Sequence, residues 1–215
     1  SFKMNEARIL QRFFSHILGV DSNAVHHMDR DKVIHDIAKS RKKLSLTGHF
    51  VVHRFPDHGA TVRDISDRVK ELQTDGYDVG LIIVDYGDIV AAVKRTGDEK
   101  ADQKSVYEHL RNMAEAFQVP VWTATQTNRE GAKRSRPRLI DIADAYDKAK
   151  IADYILAQSQ NEEEYAASEV LIHPLKVRYA DRGDAIRCDV DFGRSSFTEN
   201  VTGSRVDDTS PPRAA

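Results

Sequence analysis

The sequence is poor in the residues that mark several common classes of protein. Its 215 residues include one cysteine, Cys188, which excludes an internal disulfide framework and a cysteine-rich zinc site. The longest run of leucine, isoleucine and valine is Leu81 to Val84, far short of the ~20 apolar residues that span a membrane. The formal net charge of −2 excludes a generally basic protein that coats nucleic acid. With no signal-peptide segment, these absences predict a cytoplasmic protein in a reducing compartment.

The residues that are present suit one α/β domain. Hydrophobic residues make up 40% of the chain, enough for a packed core. Apolar residues at helical spacing alternate with short apolar runs, which predicts a mostly parallel sheet flanked by helices. Helices are predicted from the cap Asn5 to the stop Gly19, and over 31–43, 61–72, 106–117 and 141–150; strands over 48–53, 81–85, 119–125 and 152–157; and an antiparallel hairpin over 169–178 and 184–192. The domain is predicted to span 1–202, and the tail 203–215 to be disordered.

The clearest functional pattern is an apolar strand, predicted to be fully buried, that ends in Asp85. Such a strand delivers one carboxylate to the carboxyl edge of a parallel sheet, where nucleotide hydrolases hold a Mg²⁺-bound water. An aspartate that merely ends a strand explains the pattern about equally well. A polar cluster after the next predicted strand contains Gln126, whose amide can orient a water or contact a γ-phosphate. An ordinary polar junction between strand and loop is the alternative.

Two cations on the predicted hairpin, Lys176 and Arg178, lie two residues apart and therefore on one face of their strand. Such a pair suits a phosphate, but an exposed face made soluble by charge is the favoured explanation of the pair taken by itself. The nine histidines are interpreted as ordinary surface residues, because no cysteine-rich or HExxH pattern accompanies them.

Taken in order, these motifs resemble the C-terminal RecA-like ATPase domain of DnaB-type replicative helicases, especially phage-like versions, from Ser1 to about Glu199. The first four residues, Ser1 to Met4, are similar to the family's Ser-Leu-Glu-Met motif. Residues 81–86 resemble its Walker B strand, and residues 119–129 its strand ending in Ser-Gln-x-Asn-Arg, with Thr125 in place of the serine. Lys176-Val177-Arg178 resembles its late Lys-x-Arg motif, and Asp181-Arg182-Gly183 and residues 192–197 resemble its closing hairpin and final strand.

The resemblance implies ATP-driven unwinding of duplex DNA during replication, with ATP and Mg²⁺ as cofactors. It implies a homo-oligomer, a hexameric ring, on single-stranded DNA. It assigns Asp85 to the Mg²⁺-bound water and Gln126 to the γ-phosphate, and it places Arg178 in a neighbouring subunit's site with Lys176 assisting. A basic loop, residues 129–138, falls where the family grips the DNA backbone, and its cations are Arg129, Lys133, Arg134, Arg136 and Arg138. A solvated loop is the alternative, and the charged loop predicted over 94–104 is a weaker candidate.

Two departures from the family stand beside the matches. The sequence contains no G-x-x-x-x-G-K-S/T, the loop that cradles phosphates, so the predicted sheet lacks its central P-loop strand and the chain alone is predicted to be inactive. The family's catalytic glutamate falls at Lys3, which cannot act as a general base while protonated. Two explanations stay open: a piece of a longer helicase, or a degenerate, non-hydrolysing RecA-like module that binds DNA or a helicase ring. An unrelated α/β enzyme would require the ordered motifs to be coincidence.

Overall fold

The computed structural model describes residue 1 and residues 4–56, 59–128, 131, 134, 136–142 and 145–200. Its helices are α1 Glu6–Leu18, α2 Ser22–His27, α3 Arg30–Lys43, α4 Val62–Thr74, α5 Glu99–Phe117, α6 Ala145–Ile151 and α7 Glu162–Ala166. Its strands are β1 Ile82–Val84, β2 Val121–Thr123, β3 Tyr154–Ser159, β4 Glu169–Val177, β5 Ile186–Asp191 and β6 Ser196–Glu199. The chain divides into a first unit (Ser1–Lys3, Arg54–Ala157 and Pro174–Gly183) and a second unit (Met4–His53, Gln158–His173 and Asp184–Ala215).

The first unit is built on a parallel pair of strands. β1 and β2 pair in register, with Val84 opposite Thr123, so both strands end at the same edge. Helices α4 and α5 supply apolar side chains to the core beside this pair, and Val106 is its most buried member. The helix predicted over 61–72 is confirmed as α4, and it begins with a capping box in which Thr61 and Asp64 exchange hydrogen bonds. The core therefore fixes one sheet edge on which polar side chains can converge.

The prediction of a fully buried strand before Asp85 is wrong. Ile82 and Val84 are buried, but Ile83 between them is 61% exposed. Its neighbour across the strand pair, Trp122, is 50% exposed. The described residues cover one face of this sheet and leave the other open, so burial alternates along the strand. Within the described part of the chain, β2 also has no strand on its far edge.

The long helix of the first unit begins earlier than predicted. α5 starts at Glu99, inside the segment 94–104 that was predicted as a charged loop. Asp98 caps it by accepting hydrogen bonds from the N–H groups of Lys100 and Ala101. The short helix predicted over 141–150 is divided into a 3₁₀ turn at Leu139–Asp141 and α6. The first turns of α5 are mainly charged or polar. The helix was predicted from its apolar periodicity, which begins only at Val106, so these turns were missed.

In the second unit, the predicted helix between Asn5 and Gly19 is confirmed. Asn5 caps α1 by accepting a hydrogen bond from the N–H of Arg8 at 2.8 Å, and Gly19 ends it with a φ of 66°. The predicted helix over 31–43 is also confirmed, beginning at Arg30. The short helices α2 and α7 were not predicted, since six and five residues are too few to show an apolar stripe.

The strand predicted over 48–53 is wrong, because this segment has no regular secondary structure. The guanidinium of Arg41 donates to the carbonyl oxygens of Leu46 and Gly48, at 3.4 and 2.9 Å. The ring of Phe50 stacks on Phe13 with 4.2 Å between ring centroids. Side chains of α1 and α3, rather than a neighbouring strand, therefore hold this apolar run.

The late hairpin is confirmed, with slightly shorter strands than predicted, and it belongs to a four-stranded sheet. Strands β3, β4, β5 and β6 lie in that order in one sheet, and β4–β5 and β5–β6 are antiparallel. Val170, Cys188 and Val190 form its buried centre. Among the strands that the structure describes, the parallel pair β1–β2 is the smaller of the two sheets, in contrast to the mostly parallel sheet that was predicted. The absence of a central P-loop strand stays a prediction, and the tail 203–215 lies outside the described residues.

Candidate active site

Asp85 directly follows β1 and is exposed at the sheet edge. The hydroxyl of Ser1 donates a hydrogen bond to its Oδ2 at 3.1 Å. The carbonyl oxygen of Ser1 accepts from the N–H of Phe55 at 3.1 Å, which holds the start of the chain in place. The structure therefore brings Ser1, the first residue of the first motif, beside the aspartate. Lys3, which the resemblance aligns with the family's catalytic glutamate, lies outside the described residues.

Gln126 lies past the end of β2 and is exposed. Because Val84 pairs with Thr123, residues that follow the two parallel strands share one edge of the sheet. Asp85 and Gln126 therefore follow strands that end at the same edge, as the sequence predicted, while their roles stay predictions. An exposed carboxylate and an exposed amide at this position are accessible to a ligand.

Beside this edge lies a buried polar cluster around Asp88, in the 3₁₀ turn that follows β1. The side-chain nitrogen of Lys148 donates to Asp88 Oδ1 at 2.7 Å, and the hydroxyl of Tyr107 donates to the same oxygen at 2.6 Å. Thr125 donates to Asp88 Oδ2 at 2.8 Å and accepts from Lys148 at 3.1 Å. The Lys148 side chain is only 7% exposed, so the ion pair is largely desolvated. We call these four residues the Asp88 cluster.

Titration in the Asp88 cluster is strongly shaped by burial. Burial alone raises the pKa of Asp88, but hydrogen bonds from Lys148, Tyr107 and Thr125 outweigh it, so this pKa lies below its ordinary value. Burial, reinforced by the Asp88 charge, raises the pKa of Tyr107 well above its ordinary value. The cluster therefore holds an ionised carboxylate and a neutral phenol near neutral pH.

Sequence reasoning missed three members of the Asp88 cluster. Asp88 lies three residues after Asp85, and that proximity was the one local signal available. Tyr107 was assigned only to the apolar stripe of α5, and Lys148 to a short helix without a role. Only Thr125 belonged to a motif that was singled out. The contact between Lys148 and Asp88 joins positions 60 residues apart, which no local spacing encodes.

The two cations predicted on one strand face do point together, toward the C-terminal end of α6. Lys176 donates to the carbonyl oxygens of Ala149 and Ala152, each at 2.6 Å. Arg178, just past β4, donates to the carbonyl oxygen of Lys150 at 3.0 Å and pairs with Asp153 at 2.6 Å. Burial, aided by the neighbouring Arg178 charge, lowers the pKa of Lys176. In this conformation both cations donate hydrogen bonds to carbonyl oxygens at the end of α6.

The basic loop is anchored by a buried carboxylate. Asp141 is 3% exposed and accepts a hydrogen bond from the N–H of Arg138 at 2.8 Å. Its oxygens lie 3.4 Å from the side-chain Nε of Arg134 and 3.5 Å from that of Arg138. Arg136 is partly buried, and Arg129 and Lys133 lie outside the described residues. Arg134 and Arg138, which were predicted to contact DNA, therefore also lie beside a buried carboxylate.

No group of three or more His, Cys, Asp or Glu side chains in the described residues is arranged to hold a metal ion. Among the helices that the structure describes, none has the length and apolar character to cross a membrane.

Similarity to known protein families shows which family the chain belongs to. The sequence model of one family, the DnaB-like helicase C terminal domain, matches residues 1–193. The chain belongs to this family. A DnaB-like replicative helicase of Enterobacteria phage T4 is 28% identical over 188 residues, which covers 85% of this chain and 39% of that protein. Membership therefore confirms the resemblance that the ordered motifs carried.

Solved structures show that the fold is the RecA-like fold of DnaB helicases. A DnaB-like replicative helicase, solved in a study of its interactions with primase, superposes with a TM-score of 0.72 at 17% identity, over 91% of this chain and 48% of that one. A solved ATPase domain superposes with a TM-score of 0.73 at 16% identity, over 92% of this chain and 72% of that one. The chain thus spans less than half the length of the phage T4 helicase and of the replicative helicase studied with primase.

Proposed function

We propose that this chain forms part of the ATPase domain of a DnaB-like replicative helicase, which hydrolyses ATP to move along single-stranded DNA and unwind the duplex. The observation that carries the proposal is the shared edge where Asp85 and Gln126 lie, in a chain of the DnaB-like family. In this proposal residues 1–202 act in one module and assemble as subunits of a hexameric ring.

ATP and Mg²⁺ fit the described residues in part. The exposed carboxylate of Asp85 suits a hydrogen bond from a Mg²⁺-bound water, and the Gln126 amide suits a γ-phosphate oxygen. When bound, Mg²⁺ would neutralise charge on the phosphates. The sequence has no G-x-x-x-x-G-K-S/T to cradle them. The proposal therefore assigns hydrolysis to this chain together with polypeptide that supplies a P-loop, whose strand the open edge of β2 could pair.

The proposal also gives roles to the cations. Arg178, with Lys176 beside it, would act on the nucleotide of a neighbouring subunit, where an arginine contributes roughly 10³- to 10⁵-fold to the rate of phosphoryl transfer. The basic loop would contact the DNA backbone through Arg129, Lys133, Arg134, Arg136 and Arg138, largely without regard to base sequence.

The test is ATP hydrolysis with and without single-stranded DNA, in a polypeptide from the same reading frame that contains this chain and a P-loop. We expect DNA to stimulate hydrolysis and Asp85→Ala to lower kcat by about 10²-fold or more. Asp78→Ala, which removes an exposed carboxylate from the segment before β1, is the matched control and should keep activity. A P-loop-containing polypeptide that binds DNA without DNA-stimulated hydrolysis would support the non-hydrolysing module instead.

Subunit mixing tests the role in trans. Arg178→Ala subunits and Asp85→Ala subunits should each be inactive alone. Mixed together they should recover part of the activity, because an intact Arg178 can then serve an intact Asp85 in the next subunit. No recovery in mixed rings of confirmed composition would contradict the assignment of Arg178.

A further inference from the structure

The C-terminal end of α6 has an unusually complete set of cationic partners. The last carbonyl groups of a helix have no partner within the helix, so they need donors from elsewhere. Here each is bonded to a side-chain cation: Ala149 and Ala152 to Lys176, Lys150 to Arg178, and Ile151 to Arg111. Cations at this end are also favoured by the helix dipole. We call these three cations the α6 clamp.

The other connection of α6 leads to the sheet edge. Lys148 projects from the same helix into the Asp88 cluster, where it donates to Asp88 and Thr125. Asp88 follows Asp85 by three residues, and Thr125 directly precedes Gln126. One seven-residue helix therefore contacts Lys176 and Arg178 at one end and the neighbours of Asp85 and Gln126 through one side chain.

We propose that Lys148 is a positioning residue that links the α6 clamp to the Asp85–Gln126 edge. A phosphate of a neighbouring subunit would compete with the α6 carbonyl groups for Lys176 and Arg178, because Lys176 already uses two of its three N–H donors on Ala149 and Ala152. When that phosphate draws both cations away, the carbonyl groups of Ala149, Lys150 and Ala152 lose these donors, and Lys148 passes the resulting displacement to Asp88 and Thr125. Engagement of one subunit's cations in the next site thus alters the geometry of its own site. The coupling between subunits rests on the proposed function, but the connection from the α6 clamp through Lys148 to Asp88 can be tested without nucleotide.

Amide hydrogen exchange in this chain tests the link. Lys176→Met removes the donor to α6 and keeps an apolar stem. The readout is the exchange of three hydrogen-bonded amides at the sheet edge, those of Ile89, Val90 and Asn128. We expect Lys176→Met to speed their exchange by roughly tenfold. The amide of Val69 in the buried face of α4 serves as the internal reference for global unfolding.

The same Lys176→Met change is then measured in a background that lacks the link, Lys148→Met with Asp88→Asn. The second change removes the buried unpaired charge, and the amide it introduces can still bond Tyr107 and Thr125. We expect no acceleration at the edge in this background. Lys150→Met, at the exposed lysine on α6, is the matched control background and should preserve the acceleration.

The design separates a link from a merely structural contact, because it compares the response to one perturbation between folded backgrounds. The proposal is overturned if Lys176→Met speeds amide exchange at the sheet edge equally with and without Lys148. It is also overturned if Lys176→Met causes no such acceleration in the otherwise unaltered chain. If the double variant does not fold, Asp88→Asn alone takes its place, and the response should fall by about half or more. Because no nucleotide is present, the result is independent of whether the longer polypeptide hydrolyses ATP.

Discussion

At the scale of single residues, the site contains an ion pair, Lys148–Asp88, that is largely shielded from water. Two charges have been removed from water, with side-chain exposures of 7% and 21%. Such a pair adds little compared with a well-packed apolar pair, but removal of one partner leaves an uncompensated buried charge. The hydrogen bonds from Tyr107 and Thr125 reduce the cost by satisfying the remaining carboxylate lone pairs.

Lys148→Met should therefore lower the free energy of unfolding by about 3 to 5 kcal/mol. Adding Asp88→Asn to it should recover a large part of that loss, because the unpaired charge disappears. Urea denaturation of the two variants measures both values. Lys150→Met, on the exposed side of α6, should change stability by no more than about 0.5 kcal/mol. A double variant less stable than Lys148→Met would contradict this account.

Tyr107 should give the protein an alkaline instability. Its pKa is raised in the folded state by burial and by Asp88. Since the folded pKa exceeds the unfolded value of about 10, the stabilisation is complete below about pH 10 and is lost as the pH rises above it. Tyr107→Phe should flatten this decline and cost about 1 kcal/mol at neutral pH through the lost hydrogen bond. Unfolding measured from about pH 8 to pH 11 checks both; an unchanged alkaline slope would refute the assignment.

At the scale of elements, the connection from β2 to α6 is held by Asp141 and by a close approach of Gly131. The carbonyl oxygen of Asp141 accepts from the N–H of Asn128 at 2.7 Å. The N–H of Gly131 donates to the side chain of Asn128 at 2.7 Å, which places Gly131 against Asp141. The described part of the basic loop therefore starts from a tightly packed anchor.

Gly131→Ala should loosen this anchor. A Cβ at this position would lie 2.6 Å from Asp141 Cβ and 2.8 Å from its carbonyl oxygen, so the backbone has to shift. We expect a loss of about 1 to 3 kcal/mol, measured by urea denaturation. Gly80→Ala is the matched control, because a Cβ there meets nothing within 4 Å. Equal effects of the two variants would show that the close approach has no energetic weight.

At the scale of the whole molecule, positive and negative side chains nearly balance. A net charge of −2 gives no general attraction to nucleic acid. Binding to DNA must then depend on a local group of cations, and Arg134, Arg136 and Arg138 are the described members of the basic loop. Because Arg134 and Arg138 also lie near Asp141, DNA phosphates would have to compete with that carboxylate if the basic loop acts as proposed.

Neutralising these three arginines to glutamine should weaken binding of single-stranded DNA by this chain. The slope of log affinity against log salt should fall by about 0.7 for each phosphate that is no longer neutralised. Fluorescence anisotropy with a labelled oligonucleotide, at several salt concentrations, measures affinity and slope together. Neutralising three exposed lysines of α3, Lys39, Lys42 and Lys43, changes the net charge equally and is the control. A similar loss in both variants would assign the effect to net charge.

Sequence alone determined the order of the motifs, the bounds of α1, the start of α4 and the late hairpin, because caps, apolar spacing and turn residues are local signals. It also placed Asp85 and Gln126 after two strands that the structure shows to be parallel and to end at one edge. Only the tertiary structure decided that Lys148 reaches Asp88 and that Lys176 and Arg178 hold the end of α6. Those contacts join residues 60 and 27 or 28 positions apart. Packing of helices against the sheet, which no local pattern encodes, brings them within hydrogen-bond distance.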